Sequence, residues 1–118
     1  MAAVVWLEIK ESEMRKDNTL YRYDEFIARG SSGKQGDVDL LMHELASRDD
    51  LATTRLVDFA LSLVETGEGT QRIKYYLYNG CPVQRNYAAL YFKRKGFVDL
   101  LDEAVGLGKI DREQAYAK

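Results

Sequence analysis

Apolar side chains recur at three- and four-residue spacing along almost the whole chain, and strict two-residue alternation is rare. Val38, Leu41, Met42 and Leu45 form one such stripe. Leu56, Val57, Ala60, Leu61, Leu63 and Val64 form a broader one, and Ile73, Tyr76 and Leu77 a third. The spacing matches an α-helix of about 3.6 residues per turn, so each stripe reads as the face of a helix that must be buried against another. The one proline is Pro82, which leaves the rest of the chain free of the residue that most readily breaks a helix. The expected fold class is all-α.

Cap and turn residues divide the pattern into seven or eight short helices. Ala2 to Met14 reads as a helix from its Glu, Lys, Met and Arg content and from Glu11 one turn before Arg15, although Val4, Val5 and Trp6 also suit a strand. Asp17 or Asn18 caps a second helix with Leu20, Tyr23, Phe26 and Ile27 on one face and Gly30 as its stop; strand is the alternative for Tyr21 to Phe26. Gly30 to Gly36 reads as a flexible loop, with Asp37 capping the third helix. Asp49 or Asp50 opens the fourth, expected to be the most buried, and Gly67 and Gly69 end it. Thr70 opens the fifth, and Asn79 and Gly80 close it as a left-handed cap. Cys81 caps the sixth, with Pro82 in its first turn and Gly96 just past its end. Val98, Leu101 and Val105 mark a seventh, broken by Gly106 and Gly108, and Asp111 caps a last turn through Tyr116.

At 118 residues, 46% of them hydrophobic and 31% charged, the chain fits a single domain able to bury its own core. A lone cysteine, Cys81, rules out an internal disulfide. The apolar stretch from Ala2 to Leu7 gives way to Glu8 and Lys10 before reaching the length of a signal sequence or membrane span, so no membrane partner and a cytoplasmic location are expected. Trp6 with Val4 and Val5 is either core or a dimer patch.

Internal similarity is present but short. A shift of 29 residues brings Ala60 onto Ala89, Leu63 onto Phe92 and Gly67 onto Gly96, and Val38-Asp39-Leu40-Leu41 recurs as Val98-Asp99-Leu100-Leu101. Pro82 to Gly96 resembles the second helix of a HEAT repeat: Pro-Val near the start, Arg85 ahead of the Ala88-Ala89 pair, a large apolar residue at Phe92, then Gly96. The resemblance implies an α-solenoid of antiparallel helix pairs over residues 37–118, preceded by N-terminal helices in residues 1–29. For that family it also implies a scaffold or binding role without chemistry.

Catalytic and metal motifs are incomplete. Gly33-Lys34 suggests a phosphate-binding loop, but Ala28 replaces its first glycine and Gln35 its Ser or Thr. His43-Glu44 begins a zinc-protease helix motif, yet Ser47 stands at the second histidine position, and His43 is the one histidine in the chain. Asp99, Asp102 and Glu103 share a helix face and read as solvated or paired with Lys93 to Lys95. Cys81 at a helix N-terminus with Arg85 one turn away is a distant alternative for a reactive thiol. No catalytic residue, metal site or cofactor is expected.

The strongest functional signal is charge segregation. Residues 70–96 hold six Lys or Arg, five Tyr and no Asp or Glu, whereas residues 1–69 hold eight basic against fourteen acidic side chains. That asymmetry favours an anionic partner or matching by the acidic segments of the same chain. A helical wheel of Pro82 to Lys95 puts Val83, Tyr87, Leu90 and Tyr91 inward and Arg85, Asn86, Ala89 and Lys93 outward. Arg72 and Lys74 extend that stripe, with Tyr75 and Tyr78 as flat contact surfaces. The expected function is therefore a protein-interaction, adaptor or small regulatory module that holds an acidic partner protein through Arg72, Lys74, Tyr75, Tyr78, Arg85, Asn86 and Lys93. The alternative is a nucleic-acid-binding domain gripping phosphates through the same surface.

Overall fold

The computed structural model describes residues 19–48 and 50–117. These form seven α-helices and no strand: α1 (Thr19–Ser32), α2 (Gln35–Ser47), α3 (Leu51–Ser62), α4 (Gly67–Asn79), α5 (Pro82–Lys95), α6 (Val98–Gly106) and α7 (Arg112–Tyr116). The all-α expectation holds, and the strand alternative for Tyr21 to Phe26 does not, since that stretch lies within α1. The helix expected over Ala2 to Met14, the Val4, Val5, Trp6 patch, the caps at Asp17 and Asn18, and Asp49 lie outside the described residues.

Helices pack on their neighbours in a regular order. α1 meets α2, α2 meets α3, α4 meets α5, α5 meets α6, and α6 meets α7. Next-but-one contacts also form between α1 and α3, α2 and α4, α3 and α5, and α5 and α7, and α2 additionally touches α5. The core runs through this arrangement as Phe26, Val38, Leu41, Met42, Val57, Ala60, Ile73, Leu77, Ala88, Ala89 and Phe92, all fully buried. Burying each large side chain contributes roughly 1.5–3 kcal/mol, against the entropy of ordering the chain. α3 is rich in buried side chains, as its apolar run suggests, but it turns Phe59 outward.

Several boundaries differ from expectation because glycines were read as helix stops. α1 continues through Gly30 to Ser32, and Gly33, at φ +64°, is its terminator. Gly30 is buried where α1 crosses α3. The flexible loop expected over Gly30 to Gly36 is a tight two-residue joint, Gly33 and Lys34, with Lys34 rather than Asp37 as the N-cap of α2. Asp37 sits in the first turn and accepts a hydrogen bond from the Ser32 hydroxyl. The joint is fastened from a distance: Thr66 Oγ1 donates to the Gly33 carbonyl at 2.6 Å, and the Gln35 N–H donates to the Glu68 carboxylate at 2.6 Å.

Gly67 and Gly69 open α4 instead of ending α3. Thr66 is the N-cap, its Oγ1 accepting from the Gly69 N–H at 2.9 Å. A Cβ at Gly69 would lie 2.7 Å from the Gly33 carbonyl oxygen, so this glycine lets two chain segments approach. Gly80 closes α4 in an extended conformation at φ −73°, not the left-handed one expected from Asn79-Gly80. Other boundaries match the sequence reading: Asp50 caps α3, Cys81 and Pro82 open α5, left-handed Gly96 ends it, and Asp111 caps α7.

Candidate functional site

α5 is enclosed by α2, α3, α4, α6 and α7, and this enclosure decides the fate of its cations. Ala89, expected on the outward stripe, is fully buried, because the helix has neighbours on more than one side. Tyr91 is buried as expected, and its hydroxyl donates to the Val64 carbonyl at 2.8 Å. Arg85 is half-buried and donates through Nε to the Gly80 carbonyl at 2.6 Å and through Nη1 to the Lys109 carbonyl at 3.3 Å, tying the end of α4 to the turn before α7. Lys93 donates to the Ala117 carbonyl at 2.6 Å. Arg94 holds Asp58 with two bonds of 2.7 and 2.8 Å, and that carboxylate raises the guanidinium pKa further. Lys95 pairs with Glu65 at 3.1 Å.

α4 carries the other two cations of the segment. Arg72 Nε donates to Asp39 on α2 at 2.6 Å, and the Tyr76 hydroxyl donates to the same carboxylate oxygen at 2.7 Å. The Arg72 pKa rises through its bond to Asp39. Tyr76 is pushed up to about 12, first by burial and then by Asp39, both of which disfavour the phenolate. The Arg72 guanidinium also lies 4.3 Å from the centroid of the Tyr75 ring, which meets Tyr76 edge-on at 5.3 Å. Tyr75 is 46% exposed, so this cation–aromatic plate faces outward while Asp39 holds it from behind.

Lys74 differs from the other five cations. Among the described residues it alone of the six has no hydrogen-bond acceptor; its Nζ lies 6.0 Å from the Tyr78 ring centroid. The Tyr78 hydroxyl is buried without a hydrogen bond, and burial, with the nearby Glu103 carboxylate, raises its pKa.

The seven residues expected to form one basic surface therefore fall in separate neighbourhoods. Arg72 is held by α2's Asp39 with Tyr75 against its guanidinium, and Lys74 and Tyr78 face α6. Asn86 and Lys93 line a hollow with Asp111, Glu113 and Gln114, while Arg85 serves two backbone carbonyls. Local charge counting missed this because Asp39, Asp58 and Glu65 lie 30 to 36 residues away in sequence.

Other candidates resolve as follows. Cys81 and His43 are exposed, and Arg85, expected beside the thiol, points to Gly80 and Lys109. Asp102 accepts from the Tyr116 hydroxyl, whose pKa rises through that bond. Among the described residues no three His, Cys, Asp or Glu side chains converge on a metal-sized site, and no helix is long and apolar enough to cross a membrane. An open hollow of about 420 Å³ between α1 and α3, lined by Tyr23, Ala52, Arg55, Leu56 and Phe59, had no signal in the sequence reading. Comparison of the chain with protein-family models, with curated proteins and with solved structures finds no match.

Proposed function

We propose that this chain is a non-catalytic protein-interaction module of the cytoplasm, a HEAT-like array of antiparallel helix pairs that presents the outer face of α4 to an acidic segment of another protein. The packing order supports the array: α2 with α3, α4 with α5 and α6 with α7 make pairs, and next-but-one contacts stack one pair on another. The observation that carries the binding role is the Arg72–Tyr75 plate. Asp39 fixes Arg72 and Tyr76 together, so the exposed Tyr75 ring is held in place before any partner arrives. Rigid aromatic and arginine anchors lose little conformational freedom on binding and are enriched among residues that dominate interface energy.

The test is affinity capture from cell lysate, with and without nuclease, using wild type and Tyr75→Ala. A nuclease-resistant protein partner that is lost with Tyr75→Ala and released by rising salt supports the proposal. Binding that disappears with nuclease assigns the surface to nucleic acid instead. Binding indifferent to Tyr75→Ala overturns the role of the plate. Arg85 and Lys93 are poor probes, since each already donates to a backbone carbonyl of the same chain.

A further inference from the structure

α4 and α6 are not among the helix pairs in extensive contact, and between them lies a cleft of about 250 Å³. One wall carries Thr70, Gln71 and Lys74 of α4, the other Asp99 and Glu103 of α6, and Phe92, Phe97 and Leu100 form an apolar floor. A second hollow, of about 380 Å³, adjoins it across the shared residues Phe97, Asp99 and Leu100. Val98, 58% exposed, lines the second hollow as an outward apolar side chain next to Phe97.

The charged groups on the two walls are unmatched. Among the described residues Lys74, Asp99 and Glu103 form no ion pair, whereas Arg72, Arg94 and Lys95 each hold a carboxylate. An occupant suited to this face needs an anion opposite Lys74, a cation opposite Asp99 and Glu103, and an apolar knob for the floor. The face itself supplies all three.

We propose that the α4–α6 face is a self-association surface on which a second copy of this chain docks through a two-fold axis. A half-turn about an axis that runs along the mouth of the cleft, in the plane of the interface, exchanges the two walls. It sets Lys74 against the partner's Glu103 and Asp99 and, by symmetry, the partner's Lys74 against Glu103 and Asp99. Val98 of each copy enters the cleft of the other. A two-fold interface requires this self-complementarity, in which one residue's contact with another is repeated in reverse. The dimer does not depend on the Tyr75 partner surface.

Sedimentation equilibrium from low to several hundred micromolar chain tests it. Wild type is expected to show a concentration-dependent dimer. Val98→Glu, an exposed change that leaves the core intact by circular dichroism, is expected to weaken it at least about a hundredfold by placing a carboxylate on an apolar floor. Lys74→Glu and Glu103→Lys are each expected to weaken it about tenfold, and the double exchange to restore it to within about threefold of wild type. A wild-type monomer at the highest concentration, a dimer indifferent to Val98→Glu, or a double variant no better than the singles would overturn the arrangement.

Discussion

Gly30 and Ala60 meet backbone to backbone where α1 crosses α3: a Cβ on Gly30 would lie 2.0 Å from the Ala60 carbonyl oxygen. No side chain yields at such a contact, so accommodating even a methyl requires the two helices to separate. Gly36 is a useful contrast, because its Cβ would face open space at the start of α2.

Gly30→Ala is expected to destabilise the domain by about 3 kcal/mol or more, the upper range for overpacking a core. Gly36→Ala is expected to be neutral or to stabilise by about 0.5–1 kcal/mol, by restricting the unfolded chain. Urea denaturation of the two variants checks both, and equal midpoints would contradict the close crossing.

Asp39 accepts from both Arg72 and Tyr76 across the α2–α4 contact. Asp39→Ala strips two donors at once and should cost about 1–3 kcal/mol. In a Tyr76→Phe background the same substitution should cost less, since one orphaned donor is gone; a double-mutant cycle reads the difference.

Stability should fall at high pH through Tyr76. Its folded pKa is raised from 10.0 to about 12, so between those values the unfolded chain ionises while the folded one stays protonated. The contribution is complete below pH 10 and is lost as pH climbs to about 12. Tyr76→Phe removes this component, visible as a shallower decline of the urea midpoint across that window than in wild type.

Two arginine–carboxylate pairs should behave differently on truncation. Arg22, buried at 9% exposure over the Phe26 ring, pairs with Glu44 of α2 and contacts Thr53 of α3 at 3.5 Å. Glu44→Ala deprives this buried guanidinium of that carboxylate and should cost about 3–5 kcal/mol. Arg94→Ala breaks the exposed pair with Asp58 and should cost at most about 1 kcal/mol. Chemical denaturation that ranks them the other way would refute the burial argument.

The helices were legible where the deciding signals are local. Asp50, Cys81 with Pro82, Gly96 and Asp111 act on the turn next to them, and a sequence displays such neighbours directly. Gly30 and Gly69 misled because a glycine's role can depend on what stands opposite it, Ala60 for the first and Gly33 and Val64 for the second, whereas Gly67 faces open space and follows the Thr66 cap as the first residue of α4. Ala89 misled because a helical wheel supposes one buried side, and α5 has neighbours on several. The basic segment was visible as composition. Its partition into matched cations and one unmatched lysine was not, since Asp39, Asp58 and Glu65 approach only through the fold.

Those long-range pairs also bear on synthesis. The ribosome delivers Asp39, Asp58 and Glu65 into water 33, 36 and 30 residues ahead of Arg72, Arg94 and Lys95. Residues 1–69 thus emerge with fourteen carboxylates against eight cations, and these three carboxylates stay in water until α4 and α5 bring their partners.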